Sequence, residues 1–195
     1  MEWNGVKYDL EKSKKLGEEL RIRSKDILGE LSDIYPMVPV NWNSPDHVSA
    51  SLYGGVVKVD IREPYEFVYK DGRRKIKERI VTKKYEMPRL VEPLKGSQLV
   101  KEGYWSTAED TLRGLRANKK AKKIIGLILE LSSLETKMSR YYFGIPEKYE
   151  ELGWQSSIIH GQLNQVVTKT GRLSSSNPNM QNLDSQAKIC FISRF

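Results

Sequence analysis

The sequence has very few of the side chains that form disulfides or metal centres. It holds one cysteine, Cys190, and two histidines, His47 and His160, among 195 residues. A single cysteine excludes an internal disulfide, and a Cys and His zinc site needs more ligands of these types than the chain contains. We therefore expect a partly buried, inert thiol at Cys190, a structural hydrogen bonder at His160 and a solvent-facing His47.

Long apolar runs are also missing. No stretch approaches the roughly 18 apolar residues that a membrane-spanning helix needs, and residues 1–4 lack the charged start and apolar centre of a signal peptide. With the low cysteine count, this predicts a protein of the reducing cytoplasm that has no membrane partner. The 38% share of hydrophobic residues suffices for one sizeable core or two small ones.

Acidic residues are outnumbered, 25 against 33 Lys and Arg, which gives a formal net charge of +8. The excess is concentrated in two clusters. The first, against only two acids, comprises Lys70, Arg73, Arg74, Lys75, Lys77, Arg79, Lys83 and Lys84. The second comprises Arg113, Arg116, Lys119, Lys120, Lys122 and Lys123. Either cluster alone fits a solvated face as well as a phosphate-binding one, but two in one chain favour nucleic acid.

Apolar periodicity predicts helices in the first part of the chain. One runs from Asp9 to Tyr35, with a break at Gly17 or Gly29 left open, and a short one follows the N-cap and proline at Ser44-Pro45. A capping box at residues 106–109 opens a third. A longer helix then runs to Tyr141 and ends before Gly144.

The remaining segments predict strands and loops. Residues 56–87 alternate apolar and polar positions around Asp71-Gly72, which predicts a β-hairpin. Residues 157–170 are predicted to form one extended strand. The Ser, Asn and Pro content of residues 174–182 predicts a loop.

The most informative stretch is a long polar run from Thr170 to Leu183, preceded by Asn164, Gln165 and Thr168. Its amides and its guanidinium group can donate to the minor-groove acceptors that every base pair presents, so such contacts test the geometry of a pair rather than its sequence. Runs of Ser, Asn and Pro are also common in ordinary turns.

The run Thr170-Gly171-Arg172-Leu173-Ser174-Ser175-Ser176-Asn177-Pro178-Asn179-Met180-Gln181-Asn182 resembles the TGRLSS...PNLQN signature of the family A (polymerase I-like) DNA polymerases. Shorter similarities occur in the family's order at residues 1–9, 40–45, 103–107 and 191–195. The resemblance therefore covers essentially the whole chain. The long basic hairpin departs from the bacterial pattern and is typical of a phage-like branch.

This resemblance implies an α+β fold. Residues 1–150 would form a helical thumb with an inserted hairpin at about 56–87, and residues 151–195 would form the first strand and loop of the palm. It further implies a partner, primer-template DNA, in a bacterial or phage-infected cell. Arg172 would contact the primer-terminal base. The other DNA-binding residues that the resemblance implies are Asn164, Gln165, Thr168, Asn179, Gln181, Asn182, Lys137, Ser174 and Ser175.

The resemblance assigns no catalytic or metal-binding residue to this chain. The family's metal-binding carboxylates lie in later motifs, and the chain stops thirteen residues after Asn182. Asp184 is interpreted as an exposed loop residue. Mg²⁺ is expected only for the completed polymerase, whose remaining palm and fingers would come from a downstream segment or a second polypeptide.

Two other interpretations stay open. The chain could be a stand-alone duplex-binding or regulatory module, with affinity that depends steeply on salt. It could also be a nonfunctional remnant, with an unpaired palm strand that promotes aggregation.

Overall fold

The structure of the protein is a computed structural model that describes residues 4–70, 72–164, 173–181 and 183–192. It combines helices with antiparallel strands, as the sequence predicted. The α-helices are α1 (Leu10–Ile34), α2 (Pro45–Tyr53), α3 (Glu109–Arg113), α4 (Lys119–Lys137) and α5 (Gly144–Glu151). The strands are β1 (Val6–Tyr8), β2 (Gly55–Val68), β3 (Arg74–Met87), β4 (Ile158–Ile159), β5 (Gln162–Asn164), β6 (Ser174–Ser176) and β7 (Phe191–Ile192).

The chain divides into two compact units, Met1–Ile27 with Leu131–Phe195, and Leu28–Glu130. We call them the terminal unit and the middle unit. No helix in the described part of the chain has the length and apolar character needed to cross a membrane. The division into a thumb at 1–150 and the start of a palm at 151–195 stays a prediction.

The terminal unit is built on a three-stranded sheet in which β1 lies between β4 and β7. Both pairings are antiparallel, with Val6 opposite Ile159 and Tyr8 opposite Phe191. Around this sheet, residues distant in sequence form one apolar core. Its buried members are Tyr8, Tyr142, Ile145, Ile159 and Cys190.

The middle unit carries the predicted hairpin. Strands β2 and β3 pair antiparallel from Gly55 opposite Met87 to Val68 opposite Arg74. At the base of the hairpin, Val57 and Met87 pack with Ala50 of α2 in a small core. The apolar alternation that predicted the strands therefore serves packing at the base of the hairpin.

The predicted first helix is confirmed as α1, and it runs without a break. The short helix after Ser44 is confirmed as α2, with proline in its first turn. The predicted capping box is wrong, because the N-cap of α3 is Ala108 and makes no side-chain cap bond.

The prediction that no helix follows Gly144 is also wrong. A π-helical turn (Met138–Tyr142) continues α4, and α5 begins at Gly144. Pro146 is tolerated because it occupies the first turn of α5, where a backbone N–H has no intrahelical partner. Gly144 is required because a Cβ there would collide with the backbone oxygen of Ser139. Glycine and proline are typical of helix ends, but here Gly144 and Pro146 allow one helix to follow the other directly.

We expect Ile145→Ala to destabilise the terminal unit by about 2–5 kcal/mol, because it leaves a cavity in a fully buried site. The matched control is Ile22→Ala on α1, where the side chain is 60% exposed and the change is expected to cost less than about 0.5 kcal/mol. Urea unfolding of both variants measures the difference. Equal unfolding midpoints would contradict the assigned core.

Candidate nucleic-acid interface

The polar run lies in the terminal unit, where part of it forms a strand. β5 and β6 pair antiparallel, with Gln162 opposite Ser176, Leu163 opposite Ser175 and Asn164 opposite Ser174. The predicted single strand over residues 157–170 is therefore wrong in its described part, since β4 and β5 are separate. Residues 174–176 also form a strand rather than the predicted loop.

The break between β4 and β5 coincides with a close contact. A Cβ at Gly161 would lie 2.8 Å from the sulfur of Met180 and 3.5 Å from the backbone oxygen of Pro178. Glycine at this position lets the Met180 side chain lie against the strands, and a larger residue would require that side chain to shift.

Alternation along β5 and β6 sorts the polar side chains into one row. Directly opposed residues share a face of an antiparallel pair, so Gln162, Asn164, Ser174 and Ser176 lie on the same face. The Asn164 amide donates to the Ser176 hydroxyl at 2.9 Å. The Asn177 amide extends the row by donating to the Gln162 side-chain oxygen at 3.2 Å. We call these five residues the amide row.

Ser175 lies on the opposite face and is 6% exposed. Its hydroxyl donates to the backbone oxygen of Pro178 at 3.3 Å and accepts from the backbone N–H of Met180 at 3.2 Å. Four residues after Ser175, the Asn179 side-chain oxygen accepts a hydrogen bond from the backbone N–H of Gln181 at 3.1 Å. These bonds fix the backbone of residues 175–181, while the side chains of Asn179 and Gln181 are exposed.

Two cations lie beside this segment. Arg140, from the π-helical turn, and Lys148, from α5, line a cleft of about 280 Å³ together with residues 177–179. The ammonium group of Lys148 donates to the Asn177 side-chain oxygen at 3.4 Å. The cleft therefore joins positive charge to one end of the amide row.

Lys137 holds the segment that follows the polar run. Its ammonium group donates to the Gln186 side-chain oxygen at 3.3 Å and lies 3.1 Å from a carboxylate oxygen of Asp184. That oxygen is buried and receives no hydrogen bond of good geometry, so the attraction between the pair is mainly electrostatic. The prediction of an exposed Asp184 is wrong, since its side chain is only 31% exposed.

Ile159 and Cys190, which precede and follow the polar segment, are buried in the terminal core with Tyr8 and Tyr142. Tyr8 and Ser13 share a hydrogen bond of 2.7 Å, and Ser13 donates to the backbone oxygen of Tyr142 at 3.0 Å. Burial raises the pKa of Tyr8 above its ordinary value and also raises the pKa of the Cys190 thiol. Cys190 is therefore a poor nucleophile, as the sequence predicted.

The predicted site residues fall into three groups. Arg172, Gln165, Thr168 and Asn182 lie outside the described residues. Asn164 and Ser174 belong to the amide row, and Asn179 and Gln181 lie exposed just beyond it. Ser175 and Lys137 make structural contacts instead of facing solvent freely, and their predicted DNA contacts stay predictions.

Sequence reasoning missed three members of the amide row and both cations beside it, Arg140 and Lys148. Gln162, Ser176 and Asn177 complete the amide row, and Lys148 contacts it. Polar residues two apart in residues 162–164 and again in 174–176 were the available signal, since this spacing marks one face of a strand. The serines concealed it because they are more typical of loops.

His47 is partly exposed and also makes structural contacts. Its ring accepts a hydrogen bond from the Asn41 backbone N–H at 3.0 Å, and its other nitrogen lies 3.0 Å from the backbone oxygen of Lys58. The ring therefore joins α2 to neighbouring backbone.

The magnesium ions that the resemblance implies for a whole polymerase stay a prediction. Across residues 4–70, 72–164, 173–181 and 183–192, no three His, Cys, Asp or Glu side chains gather into a group that could hold a metal ion. The carboxylate nearest to the polar segment, that of Asp184, is instead paired with Lys137.

Comparison with known proteins decides the family. Residues 78–193, which include the amide row, match the model of DNA polymerase family A. The chain belongs to this family. This family A chain is 30% identical to DNA polymerase I of Bacillus subtilis strain 168, and the match covers 94% of this chain and 16% of that protein.

Other family A relatives match shorter parts. DNA polymerase I of Synechocystis is 44% identical over 46% of this chain and 8% of that protein. A thermostable DNA polymerase I of Thermus filiformis is 39% identical over 43% of this chain and 9% of that protein. The chain thus spans only 8% to 16% of these curated relatives.

The fold resembles that of a solved structure. This is the POL domain of Pol1 from M. smegmatis in complex with DNA primer-template and dNTP. The similarity has a TM-score of 0.59 at 17% identity, and it covers 94% of this chain and 25% of that one. At this identity the likeness establishes the fold.

We expect Ser175→Ala to loosen residues 175–181, because the Met180 N–H loses its acceptor. Loss of one such bond corresponds to about 1–2 kcal/mol, so amide exchange at Met180 should accelerate about tenfold or more. The matched control is the exposed Ser185→Ala, which should leave that rate unchanged. An unchanged Met180 rate in Ser175→Ala would contradict the role given to this hydroxyl.

Proposed function

We propose that these residues are the primer-template-binding part of a phage-type family A DNA polymerase, with the thumb in residues 1–150 and the start of the palm in residues 151–195. The observation that carries the proposal is the amide row on β5 and β6. It places several hydrogen-bonding side chains on one face of a rigid strand pair, inside the region that matches the family model.

The chemistry of the row suits the minor groove of a duplex. Purine N3 and pyrimidine O2 are acceptors in every base pair, so amide donors can test whether a pair is correctly formed without reading its identity. The half-buried Asn164 is held by Ser176 at 2.9 Å, while Asn179 and Gln181 are exposed just beyond the row. The held amides of the row and the exposed amides beyond it would together offer donors to a duplex.

Positive charge beside the row suits the backbone of the same duplex. Arg140 and Lys148 line the cleft that meets Asn177 and Asn179. Cations at this position would neutralise phosphates while the amides reach the base edges. We place the guanidinium of Arg172 at the primer-terminal base pair, by resemblance to the family signature.

Ser175 and Lys137, which make structural contacts within the protein, have supporting roles in this proposal. Ser175 keeps residues 175–181 in shape through its bonds to Pro178 and Met180. Lys137 fixes residues 184–186 and places its charge near the duplex backbone. The primer-template DNA present in the M. smegmatis structure supports this choice of ligand.

We further propose that catalysis belongs to the completed polymerase. By resemblance to the family, Mg²⁺ would there bind carboxylates of the family's later motifs, supplied by a downstream segment or a second polypeptide. The bacterial relatives and the family resemblance suit a bacterial or phage-infected cell.

The test is binding of a fluorescently labelled primer-template, followed by anisotropy. We expect Arg172→Ala to weaken binding about tenfold or more, because a hydrogen bond from a charged group contributes about 1.5–3 kcal/mol. The control is Arg21→Ala, which removes an exposed arginine paired with Glu18 and should change the affinity little.

Equal affinity of the Arg172→Ala and Arg21→Ala variants would overturn the role of the polar run. Tight binding by a chain that never supports primer extension, even with the remaining palm and fingers supplied, would favour the stand-alone duplex-binding module instead.

A further inference from the structure

The β2–β3 hairpin is longer than its packing requires. Each strand has 14 residues, which corresponds to about 45 Å at the usual rise of a strand. Only its base contacts the small core around Ala50. Beyond Ile61 and Val81, the strands carry mainly charged and aromatic side chains.

The pairing register gives this ribbon two faces of different charge. Directly opposed residues share a face, and Glu63 lies opposite Arg79. The face that includes this pair carries four cations and one carboxylate: Lys75, Lys77, Arg79, Lys83 and Glu63. The other face carries four of each: Lys58, Arg62, Arg74, Lys84, Asp60, Glu66, Glu78 and Glu86. We call them the basic face and the balanced face.

Ion pairs follow the same division. On the balanced face, Arg62 pairs with Glu78 at 3.8 Å and Arg74 pairs with Glu66 at 3.4 Å. On the basic face, Glu63 alone serves two cations, Arg79 at 3.8 Å and Lys83 at 3.2 Å. The balanced face thus neutralises itself, and the basic face keeps excess positive charge.

Aromatic rings hold the cations near the tip of the basic face. Tyr65 and Phe67 belong to this face, and the ammonium group of Lys77 lies 3.5 Å from the centre of the Phe67 ring. The Arg79 guanidinium lies 6.0 Å from the Tyr65 ring centre. Among the described residues, neither Lys75 nor Lys77 forms an ion pair with a carboxylate. Their charge is therefore available to an external anion.

We propose that the basic face binds the phosphate backbone of duplex DNA as a second contact, separate from the amide row. Lys75, Lys77 and Arg79 are successive residues of one face, so they lie about 6.6 Å apart along the strand. That spacing is close to twice the axial separation of phosphates along one DNA strand, about 3.4 Å. With Lys77 over one face of the Phe67 ring, phosphate contact fits better than base stacking there.

The contact would add affinity without sequence preference. This proposal rests on the proposed function only in taking DNA as the ligand. The ribbon lies in the middle unit, and no residue of the polar run supports the proposal. A blunt duplex without a primer terminus is therefore a suitable probe.

The experiment compares two triple variants of the 195-residue chain. Lys75→Ala, Lys77→Ala and Arg79→Ala remove three positive charges from the basic face. Lys58→Ala, Arg62→Ala and Lys84→Ala remove three from the balanced face of the same strands. Affinity for a blunt duplex is measured by anisotropy over a series of salt concentrations, and circular dichroism verifies folding.

We expect the basic-face variant to bind more weakly and its plot of log affinity against log salt to become shallower by about 2–3, because each lost phosphate contact removes about one unit of slope. The balanced-face variant should keep the parental slope. Equal losses in both variants would overturn the proposal, since they would reflect net charge alone, and so would no loss in the basic-face variant.

A second variant protects the test against misfolding. Lys75→Gln with Lys77→Gln leaves the Arg79 and Glu63 pair intact and should reduce the slope by about 2. The Arg172→Ala result separates this proposal from the previous one. If the ribbon variants bind normally and Arg172→Ala binds weakly, the ribbon proposal alone fails. If the ribbon variants bind weakly and Arg172→Ala binds normally, the role of Arg172 fails and the ribbon proposal stands.

Discussion

The terminal unit depends on the central position of β1, because three residues near the start of the chain pair with strands that precede and follow the polar run. The Tyr8 backbone N–H donates to the backbone oxygen of Ser157, and the Asp9 backbone N–H donates to the backbone oxygen of Cys190, each at 2.8 Å. β4 and β7, which lie on either side of the polar run in sequence, therefore both pair with β1. Bringing such distant parts of the chain together costs conformational entropy, and the buried contacts of Tyr8 and Ile159 offset that cost.

This anchoring explains how the polar side chains of residues 162–164 and 173–181 are positioned. Between β4 and β7, backbone pairing of β5 and β6 aligns the amide row, and the buried hydroxyl of Ser175 holds the residues that follow. In the hairpin, the strand pairing has a different effect. Its pairing register sorts charges between two faces, so that Glu63 must serve two cations while the opposite face balances itself. Alternation along paired strands thus produces both proposed DNA contacts.

The sequence predicted the elements that are fixed by local pattern, and it failed where a distant partner decides. Helix α1 and the hairpin follow directly from apolar periodicity. Strand β6 was missed because three serines have no strand preference until β5 pairs with them. Asp184 was misjudged because its partner, Lys137, is far away in sequence. Gly144 predicts the end of a helix by local pattern, but in the structure it permits the tight join after the π-helical turn, and Pro146 fits the first turn of α5. The polar character of the site was evident from the sequence, but its arrangement in a row required the pairing.

The central claim is that the polar segment is where the protein meets primer-template DNA. Hydrogen exchange measured with and without primer-template tests this most directly, because it reports on each backbone segment of the unmodified chain. The account predicts that exchange slows in Gln162–Asn164 and across residues 173–181 when DNA binds. Binding of the same DNA with unchanged exchange in both segments would contradict it.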